Sequence, residues 1–346
     1  MTTPPSSAGA VLVLVHGRSE QGRDPAVLRA QWLDALRTGV AAAGADPALP
    51  ALADDAVRLP YYADVLETAV RDEQAATASD AATSPVSEPD LATLLGPPER
   101  REFVLAVLDE ARRVAGVGDA EVRVLLAGDG HAVPDGPPAA AAPAALAPAT
   151  LATAGALAVP DAAWLLAVLR ALDRAVPGIG GLGIALLARD VHLYLHDERA
   201  RAAVDDVVAA ALPTDGPAVV VAHSLGSVVA FELLRTHPDR GRWAVPLLVT
   251  IGCPIAIGAV RAARAPLAVP GAVTRWRNAR DVRDVVALQP LTGAVATVDE
   301  VEVENPAPGH HAAVGYLATA EVAGPVAAAL GARPTGARAA QPTRFS

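Results

Sequence analysis

Residues 11–15 form an unbroken apolar run, Val-Leu-Val-Leu-Val, rich in β-branched side chains. A short run of this kind predicts a strand covered on both faces. It gives way to the polar stretch "HGRSEQGRDP", in which Asp24 suits a helix N-cap and Pro25 the first helical position. Leu28, Trp32, Leu36 and Val40 then recur every four residues, which marks one buried helix face, and Gly44 closes the helix. "AVRLPYY" at 56–62 predicts a second strand entering a loop.

From about residue 68 to 188 the strand–helix alternation stalls. Phe103, Val104, Val107, Leu108, Ala111 and Val114 make one amphipathic stripe, and Trp164, Leu165, Val168, Leu169 and Leu172 make another. Ser/Thr/Pro and Ala/Pro stretches separate them. "AVPGIGGLGIALLA" at 175–188 is apolar and glycine-rich and suits a flexible flap over an apolar cavity. Alternation resumes near residue 190, with a helix carrying Val204, Val207, Val208, Ala211 and Leu212 on one face. Strands are predicted at 218–222, 245–251, 272–277 and 298–303, with a helix from Ser227 and a last one from about Tyr316. No internal repeat stands out. Strands alternating with helices predict an α/β fold with a mostly parallel sheet and helices on both faces.

The chain of 346 residues is 52% hydrophobic, enough for a large core. It contains no lysine, so every basic side chain except histidine is arginine; we read this bias as genome composition. A net charge of −10 argues against nucleic-acid binding, which normally shows a basic face. The single cysteine, Cys253, excludes an internal disulfide and a multi-cysteine metal site. "MTTPPSSAGA" lacks a basic leader region, and the uncharged stretch between Asp135 and Asp161 is broken by Pro143 and Pro148. The expectation is a cytoplasmic protein without signal peptide or membrane span, whose Ala/Pro stretch is a mobile low-complexity segment.

The chemistry concentrates in "VVVAHSLGSVVAFELL" at 219–234, where an apolar strand turns into a helical pattern with no intervening loop. Ser224 sits at the tip, with Ala222 and Gly226 two residues to either side. Small residues there let strand and helix approach, and the turn lifts a serine hydroxyl out of the sheet. This matches the G-x-S-x-G nucleophile elbow with Ala222 in place of the first glycine. The competing reading is a turn serine that merely caps the helix. A nucleophilic serine needs a base, since its hydroxyl is weak at its own pKa. Downstream, "WRNARDVRDVVAL" offers Asp281 and Asp284, and "NPAPGHHAAVGYL" offers His310 and His311.

With these residues the chain resembles the α/β-hydrolase superfamily, in particular its lipase- and esterase-like serine hydrolases. The resemblance is loose over residues 11–62, firmer over 190–330, and does not extend to the segment between. It implies an α/β-hydrolase core of residues 1–67 and 189–331, a helical lid insertion at 68–188 and a disordered tail at 332–346. It implies the chain order nucleophile, acid, histidine. The family's D-x-V pattern favours Asp284, with Asp281 as alternate. A histidine shortly before Gly-Tyr-Leu favours His311, with His310 as alternate.

An oxyanion hole would use the Leu225 N–H and the His-Gly loop, through the N–H of Arg18 or Gly17. Arg18 and Gln21 could also touch substrate. The resemblance implies hydrolysis of carboxylic esters through an acyl-enzyme, without cofactor or metal. The lid adds a lipophilic small-molecule acyl substrate and transient contact of the insert with a lipid surface. A thioesterase, amidase or peptidase would use the same groups, and a non-catalytic scaffold is the reading from another class. His192, His196 and His237 read as helix-surface residues, and His223 as shaping the pocket. "TIGCP" at 250–254 resembles a Thr-x-Gly-Ser-Pro segment of lipase-like relatives, with Cys253 a packed residue where they have serine. Arg275, Arg277, Arg280 and Arg283 read as a solvated face with ion pairs.

Overall fold

The computed structural model describes residues 9–78, 94–128, 159–176, 180–287 and 289–331. The Ala/Pro stretch up to residue 158 and the tail after Gly331, singled out above as mobile and disordered, lie outside them. Six strands form one sheet, β1 (Val11–Val15), β2 (Val57–Arg58), β3 (Pro217–His223), β4 (Ala244–Ile251), β5 (Trp276–Arg280) and β6 (Asp299–Glu302). The spatial order is β2-β1-β3-β4-β5-β6, and every pairing is parallel.

Each central strand feeds two cores, because successive side chains point to opposite faces. From β1, Val13 and Val15 enter one core and Leu12 and Leu14 the other; Val220 and Ala222 separate likewise from Val219 and Val221 in β3. That is why these strands read as continuous apolar runs. On the second face lie α1 (Pro25–Ala42), through Leu28, Trp32, Leu36 and Val40, and the two helices that end the described chain, α10 (Ala313–Leu317) and α11 (Ala320–Ala329). Asp24 does cap α1: its side chain accepts from the Ala26 N–H, with Pro25 at the first position.

The first face is larger. It carries α2 (Ala63–Ala78), α3 (Pro98–Val114), α4 (Asp119–Gly128), α5 (Val159–Ala175), α6 (Gly180–His196), α7 (Glu198–Ala209), α8 (Leu225–Thr236) and α9 (Gly258–Arg264). The helices of the segment between residues 68 and 188 share one continuous buried cluster with Val13, Val15, Val220 and Ala222 of the sheet.

Several expectations need correction. The glycine-rich stretch at 175–188, read as a flap, contributes instead to α6, where Ile184, Ala185, Leu187 and Ala188 are buried. Gly181 explains it: a Cβ there would lie 2.5 Å from the Leu169 Cα, so glycine lets α6 press onto α5. The expected boundary at 188/189 falls within this helix. The strand expected at 272–277 pairs from Trp276 onward, preceded by a single bridge between Val245 and Val273. The last helix is two, separated at Ala318–Thr319. His192 is buried rather than on a helix surface, with Phe103 edge-on to its ring. Among the described residues no single helix is long and apolar enough to cross a membrane.

Candidate active site

Parallel sheets leave the carboxyl ends of their strands open for chemistry, most of all where neighbouring connections diverge. Here β1 leads to β2 on one side, while β3 pairs with β1 on the other. The loop after β1 and the turn after β3 flank that divergence, and they carry Gly17 and Ser224.

Ser224 has φ 53° and ψ −126°, a left-handed backbone that a non-glycine residue adopts only when its surroundings impose it. They do: the Ser224 N–H donates to the Ile251 carbonyl (3.0 Å), and α8 begins at the next residue. A helix packed this close to β1 tolerates no side chain at 226, where a Cβ would stand 2.5 Å from the Val15 carbonyl oxygen and closer still to that of His16. The capping alternative fails on geometry, since the Ser224 side chain makes no capping hydrogen bond. Its Oγ lies 2.9 Å from His311 Nε2 instead.

His311 Nδ1 stands 2.9 Å from Oδ2 and 3.1 Å from Oδ1 of Asp284. The carboxylate can only accept, so Nδ1 carries the proton and the Nε2 lone pair is left to receive one from Ser224. Asp284 has no exposed side-chain surface. Its charge is met by His311, by the Tyr316 hydroxyl (2.7 Å to Oδ2) and by the Val286 N–H (2.9 Å to Oδ1). The arrangement can draw a proton from a hydroxyl onto an imidazole and stabilise the imidazolium that results.

The alternates do other work. Asp281 is buried and accepts from the Arg283 guanidinium, the Arg283 N–H and the Asn305 N–H. Burial pushes its carboxyl up, but these donors outweigh it and hold the group at about 2. His310 has φ 55° and donates from Nδ1 to the Asn305 carbonyl (2.8 Å). Both therefore brace the loop that presents His311.

The His-Gly loop reaches the same place. A Cβ on Gly17 would lie 3.0 Å from the Ser224 Cβ, so the bare backbone passes directly over the serine. His16 anchors the loop: Nδ1 donates to the Gly17 carbonyl (2.7 Å), Nε2 accepts the Tyr62 N–H (3.1 Å), and the two rings stack. Its burial pushes its pKa down to about 4. Leu225 opens α8, so its N–H belongs to the helix N-terminus beside Ser224. The Arg18 guanidinium is held by Asp190 (2.8 Å). Arg18 and Gln21 line a cavity of about 10 Å³ together with Gly17, Glu67 and Asp190, room for about one water.

Two contributors had escaped the sequence, Tyr316 and Asn305, and His223, read as shaping the pocket, gains a definite partner. Tyr316 served only as a landmark, and its buried hydroxyl bonds Asp284. Asn305 had no signal, yet it is fully buried and its side chain ties Ala307 to Ala312 across the histidine loop. His223 Nε2 sits 2.6 Å from the His311 carbonyl, with the two rings 4.7 Å apart. A carbonyl only accepts, so His223 is the donor, and burial, then His311, drives its pKa well below the usual histidine range. Cys253 is buried and its thiol is pushed up to about 12 by burial, which suits packing rather than nucleophilic attack. Arg275 and Arg277 pair with Asp299, Arg280 with Glu300 and Glu302, and Arg283 with Asp281. No family model, no curated protein and no solved structure matches the chain.

Proposed function

We propose that the protein is a serine hydrolase of carboxylic esters, with Ser224 as nucleophile, His311 as general base and Asp284 as its orienting acid. The observation that carries this reading is the hydrogen-bond chain from Ser224 Oγ through His311 to Asp284, on a serine held at positive φ. A serine serving only the turn has no use for an imidazole lone pair at 2.9 Å. In the proposed cycle Oγ attacks the ester carbonyl as its proton passes to Nε2, and the alcohol leaves with that proton. Water then repeats the exchange on the acyl-enzyme. The Leu225 N–H and the loop at Gly17 and Arg18 are the donors proposed for the oxyanion.

The test combines a fluorophosphonate, which labels activated serines, with p-nitrophenyl esters of increasing acyl length. Wild type is expected to label and turn over, and Ser224→Ala to lose labelling and about 10⁴-fold or more in kcat. Neither labelling nor Ser224-dependent turnover on ester, thioester or amide would sink the reading. Activity that rises with chain length would assign the lipophilic substrate expected from the insert, whereas strict short-chain preference would remove it.

A further inference from the structure

We propose that Tyr316 is a positioning residue of the site, whose hydroxyl shares the charge of Asp284 and thereby sets how strongly that carboxylate holds the His311 imidazole. This role rests on the reading of Ser224, His311 and Asp284 as an acyl-transfer triad.

The argument starts from how Asp284 is solvated. A carboxylate withdrawn from water must find donors, and several are required to replace its hydration. Among the described residues no arginine serves it: Arg283, next in the chain, gives its guanidinium to Asp281. Its donors among them are the imidazole, one backbone N–H and the Tyr316 hydroxyl, and the hydroxyl makes the shortest of these bonds, 2.7 Å. Tyr316 and His311 converge on the same oxygen, Oδ2.

The hydroxyl cannot turn elsewhere. Its own acceptor capacity is taken by the Asp281 N–H at 3.0 Å, which points the O–H at Asp284. The ring is fully buried in the second core, which also holds Leu317, Val322 and the apolar side chains of α1. Burial and the neighbouring Asp284 raise its pKa far beyond any working pH, so it remains a donor throughout. Tyr316 thus links the two aspartates the sequence offered: the backbone of one fixes the hydroxyl that the side chain of the other receives. Each hydrogen bond to a carboxylate oxygen withdraws charge from it. A phenol on Oδ2 therefore weakens the pull of Asp284 on the Nδ1 proton.

Removing the hydroxyl should strengthen the His311–Asp284 bond and favour the imidazolium. Among the described residues the charged and titratable groups around this unit are Asp281 with Arg283 and Glu304 behind Tyr316, His310 on the loop, and His223, itself beside His16, against the His311 ring. None of them changes in the variant. In Tyr316→Phe, the Nδ1–H proton resonance of His311, assigned with His311→Gln, is expected to move downfield. The acid limb of kcat/KM is expected to move up by about half to one pH unit. Turnover should then fall most below the limb and recover above it.

A resonance and an acid limb that both stay at their wild-type positions overturn the proposal. So does a rate lowered by one factor at every pH, the mark of a ring that only packs. Should the phenylalanine variant fail to fold, 3-fluorotyrosine placed at 316 by site-specific incorporation keeps the shape and donates more strongly. It should move the resonance upfield, and no movement there counts equally against Tyr316. The resonance requires no substrate. Absence of turnover by the wild type therefore defeats the hydrolase reading alone, whereas an unmoved resonance defeats the Tyr316 role alone.

Discussion

At the residue scale, the two aspartates three positions apart show how environment, not identity, assigns a role. Both are buried, but Asp281 spends its oxygens on Arg283 and Asn305 while Asp284 faces an imidazole. Asp284→Asn should therefore lower kcat by about 10³- to 10⁴-fold with little loss of fold, since an amide can no longer hold the imidazole tautomer. Asp281→Asn should do the reverse, lowering the melting temperature while kcat stays within about tenfold of wild type. Its depressed pKa makes its stabilisation present above the ordinary aspartate range and lost as pH falls through about 2. Equal kinetic losses from the two substitutions would contradict this division. His223 is separable in the same way. Its Nε2–H fixes the His311 carbonyl, so His223→Phe should cost roughly 5- to 100-fold in kcat, the worth of one buried hydrogen bond, with KM little changed. A wild-type kcat in that variant would show that the carbonyl needs no such tether.

At the scale of elements, the site depends on how closely α8 approaches β1. Gly226 sits where any side chain would strike the carbonyls of Val15 and His16. Gly226→Ala must therefore displace the His-Gly loop, the elbow, or both, at about 1–3 kcal/mol of stability. Chemical denaturation should register that loss, and an unchanged midpoint would mean that the backbone at this contact yields without cost. The strands and the elbow were legible because they are local: β-branched runs, and a serine between two small residues, carry their own instructions. What was not legible was tertiary. The stretch around Gly181 looks mobile by propensity, yet the same glycines allow α6 to touch the α5 backbone, and packing overrides the local cost. Residues 272–275 have strand composition and do bond β4 through Ala272, Thr274 and Arg275, but regular pairing begins only at Trp276, a limit that β-propensity alone does not set. Tyr316 acts through Asp281 and Asp284, distant in the chain, which no spacing rule encodes, whereas the Asn305 side chain works within its own loop through Ala307 and Ala312.

At the scale of the molecule, the buried histidines set how the fold responds to acid. His16 and His192 are pushed down to about 4, in both cases first by burial, and His223 lies well below its ordinary range. Each stays neutral in the folded chain but takes up a proton near pH 6.5 once unfolded. Between pH 6.5 and 4 the unfolded state therefore binds more protons at these three sites, and stability falls as pH falls. Asp205 opposes them: burial raises it to about 6 against the lowering effect of the Tyr194 hydroxyl that bonds it, so the folded chain holds a proton there that the unfolded chain releases above about 4. His196, also lowered by burial, adds to the histidines, and Glu20 and Glu300, raised by burial, side with Asp205. Four imidazoles against three carboxylates leave an excess of protons on the unfolded side, so stability falls from pH 7 to pH 5. Urea midpoints should accordingly be lower at pH 5 than at pH 7. His192→Phe, which keeps a ring against Phe103 and removes one titrating group, should flatten the dependence. A midpoint at pH 5 equal to or above that at pH 7 would place these imidazoles in wetter surroundings than the two cores provide. Because His16 and His223 flank Ser224, the same protons that loosen the fold would enter the candidate site. Loss of activity in acid should then include a steep fall that tracks unfolding.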